Sequence, residues 1–136
     1  MLPQPVQSFI DRQVAAAPGD FSDLRCVVFN GTLKRSPETS NTDALVEISR
    51  HIMTGLGVQV DTVRTVDHVI PPGVYPDMTE QGYKRDDFPA IYRDLVAPAD
   101  MILLATPIWL GDQSSVTRLL IERLYAYSGE TNEATQ

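Results

Sequence analysis

Two short loops hold the residue types from which a binding site could be made. Residues 30–42 offer Thr32, Ser36, Thr39, Ser40, Asn41 and Thr42 as side-chain donors, with Gly31 permitting close backbone approach and Lys34 and Arg35 adding positive charge. Such donors just ahead of a helix start suit an anion such as a phosphate, because the first N–H groups of a helix are unpaired and its dipole is positive there. Composition leaves equally open a solvated strand-to-helix loop with an ordinary cap. The second loop, Pro107-Ile108-Trp109-Leu110-Gly111, places large apolar groups directly after a strand, where solvated loops carry polar residues. That run suits the face of a flat ring, with backbone N–H groups meeting the ring's polar edge. The alternative is that Ile108, Trp109 and Leu110 cap the core.

Other reactive side chains point less clearly to chemistry. Cys26 lies in an apolar run and reads as a small core residue, since a reactive thiol needs an accessible, electropositive setting. His51 and His68 have no Cys or His neighbour at ligand spacing, which favours surface or capping roles over metal binding or catalysis. Tyr75, Asp77 and Tyr83 could border a site or pack as a surface loop. No residue is assigned as acid, base or nucleophile, and no metal site is expected.

The elements that must position these loops follow from apolar periodicity. Residues 4–17 carry Val6, Phe9, Ile10 and Val14 on one stripe of a leader helix ended by Pro18-Gly19, so residues 1–23 read as a unit before the main domain. Residues 24–29, LRCVVF, form a short apolar run expected of a strand buried on both faces. Ser40 is an N-cap with Asp43 three residues on, and the following helix reaches about Leu56 with Leu45, Ile48, Ile52 and Leu56 inward. Residues 58–63 alternate as an edge strand does.

Residues 65–85 then lose all periodicity, an excursion long enough to be placed beside the site. Asp86 and Asp87 precede a helix through Phe88, Ile91 and Leu95 that stops at Pro98. Residues 100–106, DMILLAT, are a second fully apolar strand, and a helix over about 114–126 turns Val116, Leu119, Leu120 and Leu124 inward.

At 136 residues and 43% apolar the chain suits one core. A net charge of -7 disfavours nucleic acid or an anionic membrane as partner. A single cysteine excludes an internal disulfide and fits a reducing, cytoplasmic setting. No apolar stretch has the length of a membrane span, and residues 1–17 lack the pattern of a signal peptide.

Alternating strands and helices imply an α/β fold with a parallel sheet and right-handed crossovers. With the second strand at an edge, the order begins 2-1-3, as in a flavodoxin-like, doubly wound, three-layer α/β/α domain, whose switch point between strands 1 and 3 is where FMN binds in flavodoxins. Both loops fall at that switch point.

The stretch GTLKRSPETSNTDAL resembles the phosphate-binding loop of NADPH-dependent FMN reductases and related iron–sulfur flavoproteins, through Gly31, Thr32, Lys34, Ser40, Asn41 and Thr42. The run DDFPAIYRDLVAPADMILLATPIWLGDQSSVTRLLIERL is similar to the same families' helix, strand and ring-binding turn, through Thr106-Pro107-Ile108-Trp109 and Ser114-Ser115. Two motifs in order are more specific than either alone. Thr32 and Lys34 stand where the family more often has Ser and Arg, keeping hydroxyl and charge. Residues 65–85 hold no cysteine, so no iron–sulfur cluster is expected.

The resemblance implies FMN as cofactor, NAD(P)H as co-substrate and a small-molecule acceptor such as a flavin or quinone. It also implies a homo-oligomer. Thr32, Lys34, Ser40, Asn41 and Thr42 would surround the phosphate, and Pro107, Ile108, Trp109, Leu110 and Gly111 the ring. A flavodoxin-like electron carrier, or a flavin-free module retaining the fold, is the alternative. Residues 24–136 read as a partial domain that stops after its third βα unit, with the C-terminal strands missing. Gly129-Glu130-Thr131-Asn132-Glu133 comes too early to replace the family's later flavin-contacting loop. A chain of this extent is expected to be marginally stable, to self-associate through an open third-strand edge and to bind FMN weakly.

Overall fold

A computed structural model describes residues 2–130. A leading helix α1 (Gln4–Ala15) precedes strand β1 (Arg25–Asn30), helix α2 (Asn41–Gly55) and strand β2 (Gln59–Arg64). Two 3-10 turns, Thr65–Asp67 and Met78–Gln81, punctuate the excursion. Helix α3 (Phe88–Ile91) runs on as a π-helical stretch over Tyr92–Val96 into strand β3 (Met101–Ala105). A hairpin of β4 (Ile108–Trp109) and β5 (Asp112–Gln113) leads to helix α4 (Ser115–Tyr125).

The sheet order is β2-β1-β3, parallel throughout, with Val28 opposite Thr62 on one side and Leu103 on the other. This is the order expected from the alternation of patterns. β1 is central and buried because its side chains alternate between two apolar faces. Val27 and Phe29 join Val63, Phe88, Ile91 and Leu120 on one face, and Cys26 and Val28 join Val46 and Val58 on the other. Helices therefore cover both faces, giving three layers. Among the described residues β3 is the other edge, with Met101 and Ile102 exposed.

Three expectations about faces need correction. In α2 the residue that meets the sheet is Val46, with Met53 packed beside it, whereas Leu45 is 67% exposed. The helix is apolar on two sides because α1 lies on the second. Ile48 lines a groove with Leu2, Pro3 and Val6 of the leader, and Gly55 admits Val14, whose side chain would sit 2.7 Å from an added Cβ. Periodicity alone cannot say which apolar stripe faces the sheet.

In α1 only Ile10 of the expected stripe is fully buried, while Phe9 remains exposed. In α4 the buried line is Thr117, Leu120 and Arg123, with Tyr127 beyond it, and the expected Val116, Leu119 and Leu124 are half-buried flanks. Two of these inward residues are polar, so an apolar pattern missed them.

The excursion lies on α4. Arg123, wholly buried, pairs with Asp86 at 2.6 Å and donates to the carbonyls of Pro71 at 3.0 Å and Pro76 at 2.9 Å. Asp86 also accepts the N–H groups of Met78 and Phe88, and Tyr127 donates its hydroxyl to Pro76. One cation thus gathers residues 71–86, a segment that buries Met78 but leaves Val74, Tyr75 and Tyr83 exposed.

Candidate functional site

The first wall of the site is built outward from the end of β1. Asn30, nearly fully buried, accepts the Thr32 N–H at 3.0 Å and donates its amide to the Asp43 carboxylate. Gly31 continues the ladder by donating to the Ala105 carbonyl at 2.7 Å, and its own carbonyl accepts the Ser114 hydroxyl at 2.7 Å. A Cβ on Gly31 would lie 1.8 Å from the Thr117 hydroxyl oxygen. The close approach this glycine permits is therefore to the start of α4.

Beyond Gly31 the loop is braced from β2. Arg64 donates to the carbonyls of Lys34 at 3.2 Å and Glu38 at 2.7 Å, and to the Asp43 carboxylate at 2.6 Å. Asp67 accepts the backbone N–H of Ser36 at 3.1 Å and its hydroxyl as well. Lys34 donates to the Thr39 carbonyl at 3.2 Å and pairs with Glu38 at 3.1 Å, while its own N–H goes to the Thr32 hydroxyl.

Helix α2 then starts at a capping box. The Ser40 hydroxyl accepts the Asp43 N–H at 3.1 Å, and the Asp43 carboxylate accepts the Ser40 N–H at 2.8 Å. Burial would raise the Asp43 carboxyl, but the Ser40 bonds and the Arg64 guanidinium outweigh it and hold the group below the ordinary carboxylate range. The Ser40 hydroxyl also donates to Asp43, so both its functions serve the cap. Among the described residues the N–H groups of Asn41 and Thr42, the first two of the helix, meet no protein acceptor. Those two donors stand at the positive end of the helix, open to an anion.

The second wall is the β4–β5 hairpin, in which Ile108 pairs with Gln113 and Trp109 with Asp112. Its turn residues, Leu110 at φ 53° and Gly111 at φ 77°, both have positive φ, the signature of a type I′ turn. The turn is Leu110-Gly111 and not the Asn-Gly or Asp-Gly pair that usually marks a type I′ turn, so the sequence does not announce the hairpin. Thr106 ties its base by donating to the Pro107 carbonyl at 2.8 Å and accepting the Ser114 N–H at 2.9 Å. Ser114 then caps α4 through the Thr117 N–H.

Between the walls lies a cavity of about 490 Å³, within the range of small-molecule sites. Thr32, Lys34, Ser40, Asn41 and Thr42 line one side, and Pro107 and Trp109 the other. Seven of the ten expected residues therefore share one space. Ile108 at 77% and Leu110 at 107% exposure project into solvent instead, and with Gly111 they lie off the lining. Tyr75, Asp77 and Tyr83 do not reach the cavity; Asp77 caps a 3-10 turn through the Thr79 N–H. The excursion thus lies beside α4, and Asp67 near its start hydrogen-bonds to Ser36 of the first cavity loop.

The remaining reactive groups stand apart. Cys26 is buried, and burial pushes its thiol up. His51 holds the Glu47 carbonyl on α2, and His68 is exposed. The sequence pattern does not single out Asn30, Arg64 or Thr117, and it marks Ser114 only as part of a motif, not as the hydroxyl that ties Gly31 to Thr117. Asn30 and Arg64 did carry a signal: each is a polar residue closing a strand at its carboxyl end, where sites in parallel sheets gather.

A family model described as NADPH-dependent FMN reductase matches residues 24–135. A Mycobacterium bovis protein named divalent metal cation transporter MntH is 56% identical over 124 residues, covering 91% of this chain but 18% of that protein. Among the described residues no helix is long and apolar enough to cross a membrane, and no group of three or more His, Cys, Asp or Glu could hold a metal ion. The 8-demethyl-8-aminoriboflavin-5'-phosphate synthase of Streptomyces davaonensis is 28% identical over 106 residues, or 74% of this chain and 41% of the synthase. A crystal structure of RosB with the bound intermediate 8-demethyl-8-formylriboflavin-5'-phosphate superposes with a TM-score of 0.72 at 26% identity, covering 83% of this chain and 46% of RosB. The chain thus spans less than half the length of each of these relatives.

Proposed function

The chain belongs to the NADPH-dependent FMN reductase family, and from that premise we propose that its cavity binds FMN for the NAD(P)H-dependent reduction of a small acceptor such as a free flavin or a quinone. The phosphate lies at the start of α2, against the Asn41 and Thr42 N–H groups, the Thr32 and Thr42 hydroxyls and the Lys34 ammonium. The ring lies along Pro107 and Trp109. FMN, when bound, supplies the redox chemistry of hydride acceptance and donation. The protein's share is position and polarity. One observation carries the reading: phosphate-type donors in residues 32–42 and an apolar platform at Pro107 and Trp109, far apart in sequence, line one cavity. We place the protein in the cytoplasm, as part of a homo-oligomer.

Comparing FMN with riboflavin in a fluorescence titration tests the phosphate site. Thr42→Ala removes a bond to a charged group, worth roughly 1.5 to 3 kcal/mol, and should weaken FMN selectively. Equal loss for both ligands would refute the assignment. Ser40→Ala is the poorer probe, because its hydroxyl is committed to the cap. On the other wall, Trp109→Ala should alter the visible spectrum of the bound flavin. NAD(P)H oxidation that depends on added FMN separates a reductase from an electron carrier, which turns over slowly alone.

A second reading has the flavin phosphate as substrate. It draws on the similarity to a synthase whose named product is a modified riboflavin phosphate. Mass spectrometry of flavin recovered after turnover distinguishes the two, since a cofactor returns with unchanged mass.

A further inference from the structure

Arg64 does not line the cavity, yet it touches three points of the loop that does. Its guanidinium, 16% exposed at the side chain, bridges the carbonyls of Lys34 and Glu38 and the carboxylate of Asp43. These partners lie 21 to 30 residues before it in sequence, so the bridge fixes the loop against β2. We propose that Arg64 is the positioning residue that makes this loop selective for a phosphate, an inference that rests on the FMN reading above.

Two consequences of the geometry support it. A peptide unit is planar and trans, so its C=O and N–H point in opposite directions. With the Glu38 carbonyl drawn to Arg64, the Thr39 N–H is turned away from Arg64, and Thr39 is a cavity residue. The same bridge holds the Lys34 backbone from which the cavity's ammonium extends.

The second consequence is electrostatic. Asp43 stands in the first turn of α2, three residues from the Ser40 cap and adjoining Thr42 and Ala44 of the lining. An unpaired carboxylate there would repel a phosphate dianion. Asp43 is faced by Ser40, by the Asn30 amide and by Arg64, and Arg64 is the one cation among these. A planar, five-donor fork can neutralise the carboxylate and span both carbonyls at once, which a lysine ammonium cannot.

The test is the ratio of FMN to riboflavin affinity, read by flavin fluorescence in the full chain. Arg64→Ala should weaken FMN about tenfold, the scale of one charged hydrogen bond, while riboflavin changes by less than about twofold. Arg64→Lys keeps the charge and is the variant to read if Arg64→Ala fails to fold; it should lose several-fold in FMN affinity, with riboflavin again unmoved. A purely structural role would weaken both ligands alike, and that result, or an unchanged ratio in both variants, overturns the proposal. If the unaltered protein binds riboflavin as tightly as FMN, the phosphate reading itself falls, and the role of Arg64 falls with it.

Discussion

Residues 30–43 and residues 106–114 close the same cavity from opposite sides, but the first loop is braced from many directions and the second borrows its position from the helix behind it. Arg64, Asp67, Asn30 and the Ser40–Asp43 box bond to the first loop along its length. The hairpin of the second has two bridge pairs, the Thr106 hydroxyl at its base and an apolar tip in solvent. The difference matches what each wall would hold. A phosphate is recognised by several directed bonds that must be in place beforehand, so its donors need support from further residues. A ring face is held by contact area, which tolerates a shifting wall.

The largest effect should come from the anchor of the second wall. Helix α4 begins at the end of the hairpin and is fixed at its far end by Arg123, whose pair with Asp86 is wholly buried. Arg123→Met leaves Asp86 buried without its cation, a loss of about 3 to 5 kcal/mol for pairs of this kind. Chemical denaturation reads it directly. A loss below about 1 kcal/mol would mean that apolar contacts, and not this pair, hold α4 and the excursion. Replacing both partners, as Arg123→Met with Asp86→Leu, should recover much of the loss, because the stranded charge is then gone.

The two walls were also unequally legible in the sequence. β1, the β2-β1-β3 order and the Ser40–Asp43 cap follow from local signals: an unbroken apolar run, alternation of patterns and an N-cap residue with an acid three positions on. The braces do not. Arg64 meets residues up to 30 positions away, and Asp67 meets Ser36 across 31, and no periodicity encodes such pairings. The face of α2 was misread because two apolar stripes compete, and the face of α4 because Thr117 and Arg123 are buried polar groups. At residues 108–113, Leu-Gly forms a turn that Asn-Gly would have announced.

A smaller effect, confined to the first wall, is its response to acid. Asp43 is held below its ordinary value of 3.8 in the folded chain. A carboxyl with a lowered folded value contributes stability that is full above the unfolded value and disappears as pH falls through the folded one. Asp43→Asn should therefore lower stability at neutral pH and flatten the acid limb of a stability-versus-pH curve below about pH 4. Parallel curves for the two proteins through that range would show that Asp43 gains nothing from its Ser40 and Arg64 partners on folding.

The smallest change belongs to the hairpin tip. Leu110 occupies the left-handed region at φ 53°, where an L-residue with a Cβ is strained by roughly 1 to 2 kcal/mol, and at 107% exposure it recovers nothing by burial. Asn tolerates this region because its short amide can bond locally, and Leu110→Asn creates the Asn-Gly pair that type I′ turns favour. Stability should rise by about 0.5 to 1 kcal/mol in thermal or chemical unfolding, since the relief is only partial. Flavin affinity and spectrum should not move, because Leu110 is not among the residues that line the cavity with Trp109. A several-fold fall in flavin affinity, with the stability gain intact, would show that the strained leucine is kept for a contact with the ligand. The contrast between a braced wall and a merely carried one would then have to be redrawn, with the tip as part of the recognition surface.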